Sequence, residues 1–211
     1  MYNRMISLSK IPNRSFFLWG PRQSGKSTLL HKLYPNAKYI DLLQSDVFAS
    51  YVRRPALLRE LDTQANLIVI DEVQKIPELL DEVHWCIENQ KRIFALCGSS
   101  ARKLKRGHAN LLGGRALRYE LYGLSAQEIG PEFGLIRMLN HGYLPSHYDC
   151  DEKELKRLLL SYVGDYLREE VAAEGLVRNL TVFSDFLNMA ALSDSEQINF
   201  ASFARDLGVS S

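Results

Sequence analysis

The stretch from residue 15 to residue 30, SFFLWGPRQSGKSTLL, constrains the fold of this chain more than any other feature. An apolar run meets a loop framed by glycines, and a helix-forming segment follows, so the stretch predicts a strand, a loop and a helix. Gly20, Gly25, Lys26 and Ser27 fit the spacing G-x-x-x-x-G-K-[ST]. The glycines let the backbone approach a phosphate closely. We therefore predict a phosphate-binding loop.

Each position of this loop has a physical task at the phosphates of a nucleotide. Its backbone N–H groups can form a concave nest for phosphate oxygens, backed by the positive end of the following helix. The Lys26 ammonium can reach the β- and γ-phosphates, and the Ser27 hydroxyl can complete the shell of a Mg²⁺ ion. The predicted nucleotide-binding residues are Gly20, Pro21, Arg22, Gln23, Ser24, Gly25, Lys26, Ser27 and Thr28.

Two carboxylates follow a second apolar run. Residues 67 to 72, LIVIDE, predict a buried strand with Asp71 and Glu72 at its end, the edge where ligands bind in open parallel sheets. An isolated pair of this kind could simply cap the next turn, but the phosphate loop favours a Mg²⁺ site. We assign Asp71 to the metal and Glu72 to the attacking water, which predicts hydrolysis of bound ATP.

The strand predicted at 92 to 97 is followed by small hydroxyl residues. Ser99 can contact the γ-phosphate, and Ser100 can instead cap the helix predicted at 101 to 105. The stretch from 102 to 118 has no acidic residue, which is typical of a solvated basic face. Its basic residues are Arg102, Lys103, Lys105, Arg106, Arg115 and Arg118.

Arg115 differs from the other basic residues of that stretch. Two glycines precede it and an apolar strand, predicted at 117 to 121, follows it. An arginine held at this point could neutralise charge on a transferring phosphoryl group, in its own subunit or in a neighbouring one. We therefore predict a catalytic set of Lys26, Glu72, Ser99 and Arg115, and a homo-oligomer if Arg115 acts between subunits.

Several of these segments together resemble a widespread family of bacterial and archaeal AAA-superfamily ATPases. They are GPRQSGKST (Walker A), LIVIDEVQKIP (Walker B), GSSARKL, GGR with the strand predicted after it, and YELYGLSAQEI. The resemblance continues through residues 158 to 191 and 198 to 210, which are similar to the helical segment and the start of the winged helix in that family. It implies an α/β fold with a RecA-like P-loop NTPase core and parallel sheet, then a helical region and an incomplete winged helix.

The C-terminal pattern agrees with that implication. Leu155, Leu158, Leu159, Tyr162, Val163 and Tyr166 recur at helical spacing, which predicts an amphipathic lid helix over 152 to 171. Residues 200 to 209 predict a helix and a left-handed glycine turn, with a recognition helix beginning near Ser211. We divide the chain into a core (1–140), a helical lid or linker (141–190) and a truncated winged-helix segment (191–211).

Charge and cysteine content limit the partners. With 26 Lys+Arg and 25 Asp+Glu, the net charge is +1, which gives no global reason to expect a polyanion. Cys86, Cys97 and Cys150 are few and far apart, so they form neither a disulfide framework nor a zinc site, and a reducing, cytoplasmic setting is favoured. We find no secretory signal or apolar run of membrane-spanning length, and expect no membrane partner.

The leading interpretation is Mg²⁺-dependent ATP hydrolysis that drives a conformational switch, with ATP and Mg²⁺ as cofactors. One alternative is an ATP-gated switch that binds DNA or a protein in a full-length form and turns over slowly. Another is a P-loop kinase, with Arg102, Lys103, Lys105 and Arg106 as a lid. Residues 1 to 10 could form a short helix or edge element over the base, or a frayed terminus.

Overall fold

The computed structural model of the chain describes residues 2–9, 12–99, 112–166, 171, 177, 179–197 and 199–209. The chain divides into two compact units, Met1–Cys150 and Asp151–Ser211. The three-part division that we predict from the sequence, with boundaries after residues 140 and 190, stays a prediction.

The first unit is built on a five-stranded parallel sheet, and its described strands are β1 (Ser15–Trp19), β2 (Lys38–Asp41), β3 (Leu67–Asp71), β4 (Ile93–Gly98) and β5 (Ala116–Glu120). Their order in the sheet is β2-β3-β4-β1-β5, and every pairing is parallel. Parallel neighbours need crossover connections, which place helices on the faces of the sheet. This architecture confirms the predicted α/β fold with a P-loop NTPase core.

Six α-helices of the first unit are described. They are α1 (Lys26–Leu33), α2 (Ser45–Arg53), α3 (Leu79–Gln90), α4 (Ala126–Ile129), α5 (Leu135–His141) and α6 (Pro145–Tyr148). Short 3-10 turns lie at Pro55–Leu58, Val73–Lys75, Leu112–Gly114 and Gly130–Glu132.

The two faces of the sheet bury separate apolar clusters, because successive side chains of a strand point to opposite faces. On β1, Phe17 and Trp19 belong to one cluster, whereas Phe16 and Leu18 belong to the other. Helix α3 contributes to the first cluster and α1, through Leu30, to the second. The central strands β1, β3 and β4 are therefore covered on both sides, as their continuous apolar runs predict.

Strand β5 differs from the other strands because it lies at the edge of the sheet and most of its residues are exposed. The sequence predicts an apolar strand at 117 to 121, and the strand forms at Ala116–Glu120. Leu117 is nevertheless exposed. The prediction of a strand is confirmed, and Ala116 and Tyr119 pack partly against the two apolar clusters, whereas Leu117 stays outside them on this edge strand.

Residues 2–9 form no regular secondary structure, so the predicted helix or edge strand is wrong. The segment is not frayed either, since Leu8 is buried in the cluster of α1 and the Arg4 side chain is held by four hydrogen bonds. Its order comes from contacts with residues far along the chain, which a local pattern cannot reveal.

The second unit contains three described helices, α7 (Glu152–Tyr166), α8 (Leu180–Leu192) and α9 (Phe200–Asp206). Asn179 and Asn199 cap α8 and α9 through their side-chain oxygens. Phe186 lies edge-on to Phe203, which joins the two helices. After α9, Gly208 takes the predicted left-handed conformation, with φ at 65°.

Other predictions for this unit are tested only in part. Helix α7 begins where the amphipathic helix was predicted, and residues 167–170 lie outside the described part of the chain. Ser211 also lies outside it, so the recognition helix stays a prediction. Among the described residues, no helix combines the length and apolarity needed to span a membrane.

Candidate nucleotide site

The loop between β1 and α1 has a backbone that only certain residues can adopt. A Cβ on Gly20 would lie 1.9 Å from the carbonyl oxygen of Leu121, so a side chain there would collide with the neighbouring segment. Gly25, directly before α1, has φ at 90°, and Gln23 has φ at 61°. Both angles lie in the left-handed region, which glycine adopts without steric cost. The two glycines of the sequence motif are therefore required by the local geometry.

The N-terminus of α1 is suited to an anion. The helix begins at Lys26, has no acidic residue in its first turn, and has no side chain that caps its N–H groups. Those N–H groups and the helix dipole favour negative charge at this end. Ser24, in the same loop, has a buried hydroxyl for which the described residues provide no hydrogen-bond partner.

The Lys26 side chain is buried inside the loop. It is 6% exposed, and Nζ donates to the carbonyl oxygens of Gly20 and Pro21, both at 2.8 Å. Lysine is rarely buried unless its charge is paired or hydrogen-bonded. The ammonium is thus held beside the backbone groups that form the predicted phosphate nest, and its third donor is suited to a phosphate oxygen.

Ser27 and Asp71 meet although they lie on different elements. Ser27 Oγ donates to Asp71 Oδ2 at 2.5 Å, and Asp71 Oδ1 accepts from the backbone N–H of Glu72 at 3.0 Å. A hydroxyl and a carboxylate are the hard oxygen donors that Mg²⁺ prefers. The residues present therefore fit a Mg²⁺ ion that keeps water and phosphate oxygens as its other ligands.

Cys97, on the adjacent strand β4, lies next to this pair. Burial raises the pKa of the Cys97 thiol well above its usual value, and the Asp71 carboxylate raises it further. The thiol therefore stays protonated at neutral pH.

Glu72 leaves β3 in an unusual conformation. Its φ of 56° lies in the left-handed region, which is uncommon for residues other than glycine. The Gln74 side-chain amide donates to its carboxylate. Burial raises the pKa of Glu72, while the hydrogen bond from Gln74 and the charges of Lys26 and Arg22 oppose that effect.

The same amide connects Glu72 to Ser99. Gln74 Nε2 also donates to the Ser99 hydroxyl at 3.1 Å, so the ends of β3 and β4 are joined through one side chain. Gln74 lies in the sequence segment that carries the Walker B resemblance, but no role for it follows from sequence spacing. The one feature of the sequence that could have drawn attention to Gln74 is a polar residue in a segment where Val73 and Ile76 are both buried.

Arg4 is a second residue that sequence reasoning missed. Its guanidinium donates to the carbonyl oxygens of Ser24, Tyr122 and Gly123 at 2.7, 2.6 and 3.2 Å, and to Glu128 at 3.0 Å. The first of these bonds reaches the phosphate loop itself. The N-terminal segment therefore supports the loop from behind.

The remaining loop residues lie at its rim. Gln23 is exposed and its Oε1 accepts from the Ser146 hydroxyl at 3.0 Å, while Pro21 and Arg22 are partly exposed. Thr28, in the first turn of α1, is also exposed. The structure thus brings together the residues from Gly20 to Ser27 with Asp71, Glu72 and Ser99.

Arg115 lies away from this group. It precedes β5 directly, at the end of the strand where Ala116 pairs with Ser15, whereas the phosphate loop follows the other end of β1. A strand of five residues separates these two edges by about 16 Å. Arg115 pairs instead with Glu88 of α3. Arg115 is therefore not brought together with the loop of its own chain, and its predicted catalytic role stays a prediction.

The basic residues Arg102, Lys103, Lys105 and Arg106, together with Ser100, lie outside the described part of the chain. Their predicted roles, as a solvated face, a kinase lid or a helix cap, stay predictions.

The sheet and the loop between β1 and α1 define a P-loop nucleoside-triphosphatase core. Within that class, a family model described as an AAA domain matches residues 12–130, and the chain belongs to this AAA domain family of ATPase-like proteins. A second family model, a domain of unknown function (DUF8612), matches residues 133–211.

Two of the solved structures that match are similar over most of the chain. The Thermotoga maritima RuvB Holliday junction branch migration motor has 16% sequence identity and a TM-score of 0.47, with 93% of this chain and 75% of that chain covered. The Aeropyrum pernix ORC1 protein in complex with DNA has 12% identity and a TM-score of 0.44, with 92% and 78% covered. No curated protein matches the sequence.

Proposed function

We propose that this chain binds ATP with Mg²⁺ and hydrolyses it to ADP and phosphate, and that hydrolysis drives a conformational switch. The observation that supports this most directly is the contact of Ser27 with Asp71 beside the buried Lys26 ammonium. This contact places two oxygen donors suited to Mg²⁺ at the phosphate loop, and Glu72 directly follows Asp71 in the sequence.

Each residue then has one task. Lys26 and the N–H groups at the start of α1 hold the phosphates, and Ser27 and Asp71 hold Mg²⁺, which when bound neutralises phosphate charge. Glu72 accepts a hydrogen bond from the attacking water and orients it toward the γ-phosphate. Ser99 contacts a γ-phosphate oxygen through its hydroxyl.

The primary test is phosphate release from the purified chain with MgATP alone. Replacing Lys26 with Ala removes a charge-assisted contact of about 1.5–3 kcal/mol, and each 1.4 kcal/mol is tenfold. We expect ATP affinity to fall by about 10- to 100-fold. Lys32→Ala is the matched control, because Lys32 lies on the same helix with an exposed side chain. Equal ATP affinity in both variants would reject the phosphate role of Lys26.

The same assay separates the alternatives. A P-loop kinase releases little phosphate without an acceptor molecule, so steady release from pure protein and ATP excludes that reading. A gated switch with little turnover would show ATP binding, slow release, and an affinity for DNA or a protein that changes with nucleotide. A homo-oligomer through Arg115, and a DNA or protein partner of a full-length form, remain part of this proposal.

A further inference from the structure

Gln74 occupies an unusual place for a glutamine. It lies in the 3-10 turn Val73–Lys75 directly after Glu72, and only 6% of its surface is exposed. Glutamine is mostly found at protein surfaces, because its amide loses hydrogen bonds to water on burial. A buried amide therefore needs partners, and Gln74 Nε2 has two: the Glu72 carboxylate and the Ser99 hydroxyl, the latter at 3.1 Å.

The orientation of this amide is fixed by its neighbours. A carboxylate only accepts hydrogen bonds, so the amide nitrogen faces Glu72. The amide oxygen then lies against Gly98, where a Cβ would stand 2.0 Å from Gln74 Oε1. No described residue donates to this buried oxygen. The lack of a side chain at Gly98 thus makes room for the amide.

Two features around Gln74 lower the stability of the folded chain. Glu72 holds a left-handed conformation, and the Gln74 acceptor is buried without a described partner. Each feature costs stability. An apolar residue at position 74 would remove the second cost. The arrangement is therefore better explained by a task at the site than by a contribution to folding.

We infer that Gln74 is a positioning residue, whose carboxamide fixes the Glu72 carboxylate and links it to the Ser99 hydroxyl, so that phosphate turnover depends on it while nucleotide binding does not. This inference rests on the proposed ATPase function. The amide occupies Oε2 of Glu72 and leaves Oε1 of that carboxylate for the attacking water. A hydroxyl can accept one hydrogen bond and donate another. The Ser99 hydroxyl can therefore accept from the Gln74 amide while it donates to a γ-phosphate oxygen, which connects that oxygen to Glu72 through the same amide.

The test compares Gln74→Met, which keeps length and volume but removes the amide, with Gln44→Met in the full chain. Gln44 is the matched control, because it follows the neighbouring strand β2 and is exposed. We expect kcat of Gln74→Met to fall by about 10- to 100-fold, the loss typical of a misplaced reacting group, with the ADP dissociation constant within about twofold of wild type. Gln44→Met should match wild type in both.

A double substitution with Ser99→Ala tests the link itself. Because both changes break one chain of hydrogen bonds, the double variant should lose no more kcat than the worse single variant. A double variant whose loss of kcat is the product of the two single losses, or a kcat unchanged in Gln74→Met, would overturn the inference. So would a loss of kcat that only follows a loss of folded protein or of ADP affinity. If Gln74→Met does not fold, Gln74→Leu also removes the amide donor without adding a group that can donate to Glu72, and the same results are expected.

The two proposals fail in different ways. A wild-type chain that releases no phosphate from MgATP refutes the proposed function and, with it, the dependence of turnover on Gln74. Wild-type turnover that persists in Gln74→Met refutes the positioning role alone.

Discussion

The buried ion pair between Arg4 and Glu128 provides the most demanding test of how the N-terminal segment supports the phosphate loop. The two side chains are only 7% and 6% exposed, and Arg4 Nε lies 3.0 Å from Glu128 Oε1. Replacing Arg4 with Met keeps an unbranched apolar stem but removes the guanidinium. The carbonyl oxygens of Ser24, Tyr122 and Gly123 then lose a donor.

The size of the effect follows from this geometry. Removing one partner of a buried ion pair costs about 3–5 kcal/mol, because the other charge stays buried. The Glu128 carboxylate retains hydrogen bonds from the N–H groups of Met5 and Ser125 at 2.7 and 3.0 Å, so we expect the lower end of the range. A loss of about 3 kcal/mol corresponds to a decrease in Tm of about 6–12 °C for a chain of this size.

The assay is urea denaturation without nucleotide, with Arg54→Met as the matched control. Arg54 also pairs with a glutamate, Glu60, at 2.6 Å, but the two side chains are 60% and 51% exposed. Exposed pairs contribute about 0–1 kcal/mol, so the control should unfold almost as wild type does. Equal losses in the two variants would refute the reasoning that burial, and not pairing alone, makes Arg4 important.

Three further predictions concern other parts of the first unit. Gly20→Ala should lower the free energy of unfolding by about 1–3 kcal/mol in the same assay, because the new Cβ would collide with the Leu121 carbonyl oxygen. Gly134→Ala is the control and should have little effect, because the new Cβ would lie 3.5 Å from its nearest neighbour, the Arg137 Cβ. Hydrogen bonds from Met5, Ser125 and Arg4 outweigh burial and lower the pKa of Glu128, so its contribution to stability is present above the ordinary glutamate pKa and is lost as pH falls through the folded value. Unfolding measured from neutral to acid pH should show that loss, and Glu128→Gln should reduce the slope. If Arg115 acts in a neighbouring subunit, specific activity should rise with protein concentration, and Arg115→Ala should lose turnover with little loss of ATP affinity. A specific activity that does not change with protein concentration, together with an unimpaired variant, would leave Arg115 as a surface residue paired with Glu88.

The sequence predicts the parts of the site that short-range chemistry determines. Gly25 and Lys26 are recognisable because a phosphate loop fixes their spacing, and Asp71 because it ends a continuous apolar run. In a parallel sheet these segments meet at one edge, so the contact of Ser27 with Asp71 follows from the pattern.

Residues whose partners lie far along the chain could not be predicted in this way. Arg4 and Glu128 are 124 positions apart, and Gln74 and Ser99 are 25 apart, and no periodic pattern connects either pair. Arg115 is a different case. A residue that precedes a parallel strand lies at the opposite edge from residues that follow one, so its distance from the loop could have been deduced once β5 was assigned.

The measurement that tests the central claim most directly compares wild type with Glu72→Gln for both ATP binding and phosphate release. A general base or water-orienting group contributes about 10²–10⁴-fold to rate, so turnover should fall by at least about 100-fold while the ATP dissociation constant stays within about threefold. Glu78→Gln, an exposed glutamate on the same segment, should behave as wild type. Full hydrolysis by Glu72→Gln would contradict the assignment of Glu72 as the group that orients the attacking water, and a wild type that releases no phosphate would contradict the account of this site as an ATPase centre.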